Sequence, residues 1–130
     1  MKRGFWILMM VCAVLTTVSC QNKAKKNTPE AATEQFAKAF YTADFTHMYQ
    51  YTTKKSDIVI KQLQNGMKDN TERLEEMKKA KVEFVSTSVN NLTDSTCSCE
   101  CKILLNGQPR QNQWDLLKED DLWKVTLVLP

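Results

Sequence analysis

The apolar residues of this chain change their period once, at Lys81, and do not change back. Before that point they recur every three or four positions, as on a helix buried along one stripe. After it they alternate, as on a strand buried on one face. A chain with helices first and antiparallel strands second is an α+β domain, with N-terminal helices packed on one face of a curved, four-stranded antiparallel sheet. Thr28-Pro29-Glu30 predicts a helix start, with Thr28 as cap, Pro29 at the first position and Glu30 at the positive end of the dipole. Ala32, Phe36, Ala39 and Phe40 give that helix one apolar face as far as about Thr42. Asp44 caps a short helix over Phe45 to Thr52, with Met48 and Tyr51 inward. Asp57 caps a longer one, striped by Leu63, Met67, Leu74 and Met77 and ending near Ala80. Asn65-Gly66 is its natural break, and the Asp69–Glu72 spacing suits a second start.

The alternating half divides as cleanly. Val82 and Phe84 flank Glu83 in a first strand. Cys97, Cys99, Cys101, Ile103 and Leu105 form one face of a second, which stops at the hairpin dipeptide Asn106-Gly107. Trp114 and Leu116 mark a third strand. After the turn at Glu119-Asp120-Asp121 comes a fourth, with Trp123, Val125, Leu127 and Leu129 on one side.

Residues 1–27 are of another kind. Met1-Lys2-Arg3-Gly4 is cationic, and Phe5 to Val18 is an uncharged run with no polar face. Its 14 residues are too few to span ~30 Å of hydrocarbon at 1.5 Å per residue. This is the layout of a cleaved export signal, residues 1–19. Val18-Ser19-Cys20 resembles the lipobox of bacterial lipoproteins, with Thr17 where that pattern has a branched aliphatic residue. The resemblance implies that Cys20 carries the lipid, and Gln21 to Asn27, polar and cationic, reads as a tether. The expected organisation is therefore signal 1–19, lipidated N-terminus and tether 20–27, and one domain over 28–130. The expected address is the bacterial cell envelope, periplasmic, with a membrane bound through lipid.

Removing the signal takes Lys2 and Arg3 from 18 basic residues, so 16 face 15 acidic ones. A nearly neutral domain without a basic stripe has nothing to supply the electrostatic affinity that nucleic acid demands. Of the five cysteines, Cys12 leaves with the signal and Cys20 is acylated. Cys97, Cys99 and Cys101 remain, an odd number that excludes a multi-disulfide scaffold.

The order of elements, Pro-x-x-Ala-x-x-Phe opening the first helix, and the closing Leu122-Trp123-Lys124-Val125 resemble the small lumazine-binding-like bacterial lipoproteins of the nuclear transport factor 2-like, or cystatin-like, superfamily. The resemblance spans about residues 28–130. It implies a cone, with the sheet wrapped around the first and third helices and a pocket at the wide end. Isomerases, dehydratases, binding modules and interaction domains all use that fold, so fold alone does not choose among them.

Three groups carry candidate chemistry. Cys97, Cys99 and Cys101 project from one face of a strand and offer thiolates to a soft metal. Same-face neighbours on a flat strand stand roughly 6.5–7 Å apart, too far for two ~2.3 Å bonds to one ion without a bend. The other reading makes them small hydrophobes beside Ile103 and Leu105. His47, the only histidine, lies near Asp44 and Tyr41, and the three form an acid–base set if they turn inward. Otherwise His47 is a surface residue beside a helix cap. Trp114, Trp123, Phe36, Phe40 and Phe84 either line a pocket for a flat ligand or fill the core. No glycine loop cradles phosphate and no serine occupies a nucleophile elbow. No cofactor is expected. These residues together favour a non-enzymatic domain binding a small apolar ligand or an envelope protein. Its alternatives are an isomerase- or dehydratase-like enzyme and a thiol metal carrier.

Overall fold

A computed structural model describes residues 28–128. The expectations for residues 1–27, Cys20 among them, and for Leu129 lie outside those residues. Helix α1 (Pro29–Tyr41) begins as its sequence dictates, with the Thr28 side chain accepting the Ala31 N–H at 3.2 Å. Phe36 and Ala37 are fully buried on its inner face, flanked by Thr33 and Ala39. Thr33 satisfies its own hydroxyl by donating to the Pro29 carbonyl at 2.8 Å. Ala43, in the left-handed region at φ 53°, turns the chain into α2 (Phe45–Gln50), capped by Asp44.

Two cap expectations need correction. Helix α3 (Asp57–Met67) is not capped by Asp57, which is its first residue. It follows a 3-10 turn at Lys54–Ser56. The Ser56 hydroxyl, at the cap position, is taken by Thr53 at 2.8 Å and by the Leu127 N–H at 2.8 Å. Helix α4 (Thr71–Lys78) is capped by Asn70, whose oxygen accepts the Arg73 N–H at 3.4 Å, and not by Asp69. The break also falls later than Asn65-Gly66. Gly66 stays helical in open space, and the chain turns over residues 68–70.

The sheet is a sequential meander, β1 (Val82–Asn90), β2 (Thr96–Leu105), β3 (Gln108–Glu119) and β4 (Leu122–Thr126), antiparallel throughout. Asn106 at φ 52° and Gly107 at φ 81° form the two-residue β2–β3 turn. Asp120 at φ 54° and Asp121 at φ 62° form the β3–β4 turn. Left-handed conformation at both central residues is what a right-twisted hairpin selects, and aspartate tolerates it better than most side chains. β1 extends well beyond Phe84. A register shift between Phe84 and Ser86 resets the alternation there, which conceals the rest of the strand from a period-two reading. β4 ends at Thr126, earlier than expected, because the next N–H, that of Leu127, bonds Ser56. The short helix also ends early, at Gln50. Tyr51, Thr52 and Thr53 run beside β4, where Val125 donates to the Tyr51 carbonyl at 2.8 Å and accepts from Thr53 at 3.0 Å. That segment covers one edge of the sheet.

Helix α1 packs against β1, β2 and β4. The core between them joins Phe36, Met48, Ile60, Cys97, Cys99, Leu116, Trp123 and Val125. Phe36 meets Trp114 edge-on, ring centres 5.0 Å apart, and Phe40 at 6.0 Å. In the β2–β3 register Cys97 pairs with Leu116, Cys99 with Trp114, Cys101 with Asn112 and Ile103 with Arg110. The inner face of β3 thus passes from apolar residues at one end of the sheet to polar ones at the other.

Candidate functional site

The three strand thiols are free and buried, with Cys99 fully so. Burial, reinforced by the neighbouring Cys99 thiol, pushes Cys97 up to about 12, and burial also raises Cys99 and Cys101. Burial thus disfavours the free thiolate that nucleophilic attack requires. Among the described residues no group of three or more histidine, cysteine, aspartate or glutamate side chains is arranged to hold a metal ion. The thiols fill the space beneath α1, with Thr33 and Thr87 beside Cys99 and Cys101. A thiol dye should label them slowly in the native chain and completely once denaturant is added. Stoichiometric zinc lost on Cys99→Ser would refute the packing account.

These thiols also give the fold a pH dependence. Their folded values lie above the unfolded value of 9.0, so the folded chain holds the protons more tightly. The stabilisation is complete below pH 9 and is lost as pH rises through the folded values, about 12 for Cys97. The melting temperature should decline from about pH 9 upward, and replacing the three with alanine or valine should flatten that decline.

The acid–base candidates do not come together. Asp44 and His47 do meet, the Nδ1 nitrogen 2.5 Å from a carboxylate oxygen, but the side chains are 43% and 55% exposed. The pair closes the first turn of α2, where Asp44 also accepts the His47 N–H at 3.3 Å. Tyr41, at the last position of α1, is half-buried elsewhere, and its phenol oxygen accepts the Asn112 side-chain amide. The five aromatics do not line one common pocket, and of them Phe40 borders an open cleft with Met48 and Leu63. Phe36 and Trp114 are packed against one another in the core, Phe84 is 39% exposed, and Trp123 borders a separate cleft between the start of α1 and β4.

That open cleft, of about 950 Å³, is built from residues that the sequence did not group as one site. Phe40 and Tyr41 at the end of α1, Phe45 and Met48 of α2, and Leu63 and Met67 of α3 form its apolar walls. Met77 of α4 and Leu105 and Arg110 at the β2–β3 hairpin complete it. Its volume lies in the upper part of the range for small-ligand sites. Leu63, Met67 and Met77 belong to the stripe expected to seal a core. Leu63 is instead 38% exposed, and α4 has no buried residue. The stripe faces open space, and Ile60 alone of α3 is buried.

A helix-covered curved sheet with a cavity at its open end defines the class: an α+β domain of the cone-shaped type. The comparisons sharpen this. The solved structure of a Campylobacter jejuni protein described as an NTF2-like transpeptidase superposes with a TM-score of 0.57 at 16% identity, over 78% of this chain and 100% of that one. The chain has the NTF2-like fold, as the order of its elements implied. No protein-family model matches the sequence, and no curated protein does.

Proposed function

We propose that this chain is a non-enzymatic binding domain of the bacterial envelope, tethered by lipid on Cys20, whose cavity holds a small and largely apolar ligand. The observation that carries this reading is the composition of the cavity wall. Phe40, Phe45, Met48, Leu63, Met67 and Met77 supply apolar surface, with Glu72, Arg73, Glu76 and Arg110 as the charged part of the rim, and among the described residues no serine, threonine, cysteine or histidine lines it. Three of those six are methionines, whose flexible thioethers adapt to ligands of varied shape. The fold by itself serves binding proteins and enzymes alike. The acid–base pair that an enzyme would place here sits on the surface of α2 instead.

Thermal melts of the full chain against a panel of apolar compounds test the reading. A ligand at a hundred times its Kd stabilises by about 2.7 kcal/mol, several degrees in a domain of this size. Met77→Glu and Leu63→Glu place a charge on the wall at positions that are not fully buried. Each should leave the unliganded melt within about 0.5 kcal/mol of wild type while abolishing the shift. A panel that moves nothing, or shifts indifferent to both variants, would sink the reading.

A further inference from the structure

Resting on that reading, we infer that the ligand is an amphipathic carboxylate, its hydrocarbon on the methionine wall and its head group held by Arg110 and Tyr41 on the sheet side of the cavity. Arg110 lies opposite Ile103, and Asn112, two residues on, lies opposite Cys101. Both partners are buried on the inner face of β2. Successive same-face positions on a strand aim side chains at one side of a sheet, so Arg110 and Asn112 belong to the face that Tyr41 meets. Of the two, Arg110 lines the cavity, and Asn112 acts on it through Tyr41.

The Arg110 guanidinium contacts two neutral oxygens, the Pro109 carbonyl at 3.3 Å and the Gln108 side chain at 3.5 Å. Among the described residues it forms no ion pair. Its planar fork matches a carboxylate in a way that these two contacts do not use. Beside it, the Asn112 amide donates to the phenol oxygen of Tyr41, which leaves the phenol hydrogen free to donate outward. Burial, followed by the nearby Cys101 thiol, raises the Tyr41 pKa against the opposing pulls of Asn112 and Arg110. The phenol therefore stays protonated, a donor at physiological pH. The remaining charges on the cavity are Glu72, Arg73 and Glu76, all on α4. The two glutamates repel a carboxylate from the helical side and Arg73 attracts one, so only the sheet wall is donor-rich without opposing charge.

The test is calorimetry on the full chain in lipid nanodiscs, with empty nanodiscs as blank. Octanoate, octanamide and octylamine serve as probes that share a tail and differ in head group. Octanoate should bind about tenfold or more tightly than octanamide, the contribution of a charge-assisted hydrogen bond. Arg110→Gln, at an exposed position, should erase that preference. Tyr41→Phe should weaken octanoate selectively. Equal binding of octanoate and octanamide, both lost in Leu63→Glu, would overturn the head-group assignment and leave the apolar-cavity reading standing. A preference for octylamine would overturn it too, and would move recognition to Glu72 and Glu76. If none of the three binds, the cavity reading fails and this inference with it.

Discussion

Trp123→Ala is expected to unfold the domain or leave it molten, with near-ultraviolet circular dichroism lost, whereas His47→Ala should melt with wild type. Trp123 is the second residue of β4, following Leu122 and the Asp120–Asp121 turn, and is 9% exposed. It belongs to the same buried cluster as Phe36, Met48, Ile60 and Val125, so its removal opens a void at the contact between the sheet and the helices. A cavity of that kind costs ~3–5 kcal/mol for a buried aromatic, against ~5–15 kcal/mol holding a whole domain. Lys118 lies over the indole, 5.2 Å from its centre, and would lose that contact too. His47 loses only its exposed pairing with Asp44, and Asp44 still caps the helix through the backbone. Such surface pairs contribute roughly 0–1 kcal/mol. A Trp123→Ala variant that melts within a degree or two of wild type would show that the indole serves the adjoining cleft and not the core.

Much of the fold was legible because period and turn chemistry agree. Thr28-Pro29, Asp44 and Asn106-Gly107 each specify a local geometry that the structure adopts. The misplacements have local causes. Asp57 and Asp69 are sound caps by composition, but Ser56 was already committed to Thr53 and Leu127, and Asn70 stands one residue nearer the turn of α4. A hydroxyl bonded across 71 positions of sequence leaves no mark on the residues beside it. The length of β1 was hidden by its register shift, since one extra residue inverts the alternation that identifies a strand.

The site was harder to read than the scaffold. An apolar stripe at helical spacing looks the same whether it seals a core or lines an open cavity. Leu63, Met67 and Met77 differ from Phe36 only in what the tertiary structure sets against them. One signal was available: Met67 and Met77 line the cavity and Met48 lies between it and the core, whereas the rest of the sealed core draws on phenylalanine, isoleucine, leucine, valine, tryptophan, alanine and cysteine. Arg110 was equally readable, as a charge on the inward positions of a strand whose later residues, Trp114 and Leu116, are apolar. Inward polar residues at one end of a strand mark where a sheet stops being covered.

The proposed anchor yields the second large effect: Cys20→Ser should abolish lipid labelling and move the protein from the membrane to the soluble fraction. No helix of the described residues is long and apolar enough to cross a membrane, and the release expected of Cys20→Ser rests on the acyl chains being the attachment. Residues 20–27 are eight positions before α1 begins, and at no more than ~3.6 Å per residue they reach at most about 29 Å. The start of the domain would therefore stay close to the bilayer. The cavity lies at the other end of α1, beyond 13 residues that rise ~1.5 Å each, so the start of the domain and the binding wall are about 20 Å apart along the helix. Address and binding should separate on that account: the Cys20→Ser protein, recovered in soluble form, should keep its octanoate affinity within about twofold. Mass spectrometry of the wild-type protein showing an unmodified mature N-terminus would sink the anchor. A soluble variant with its binding destroyed would instead show that the lipid itself, or the membrane it holds, forms part of the site.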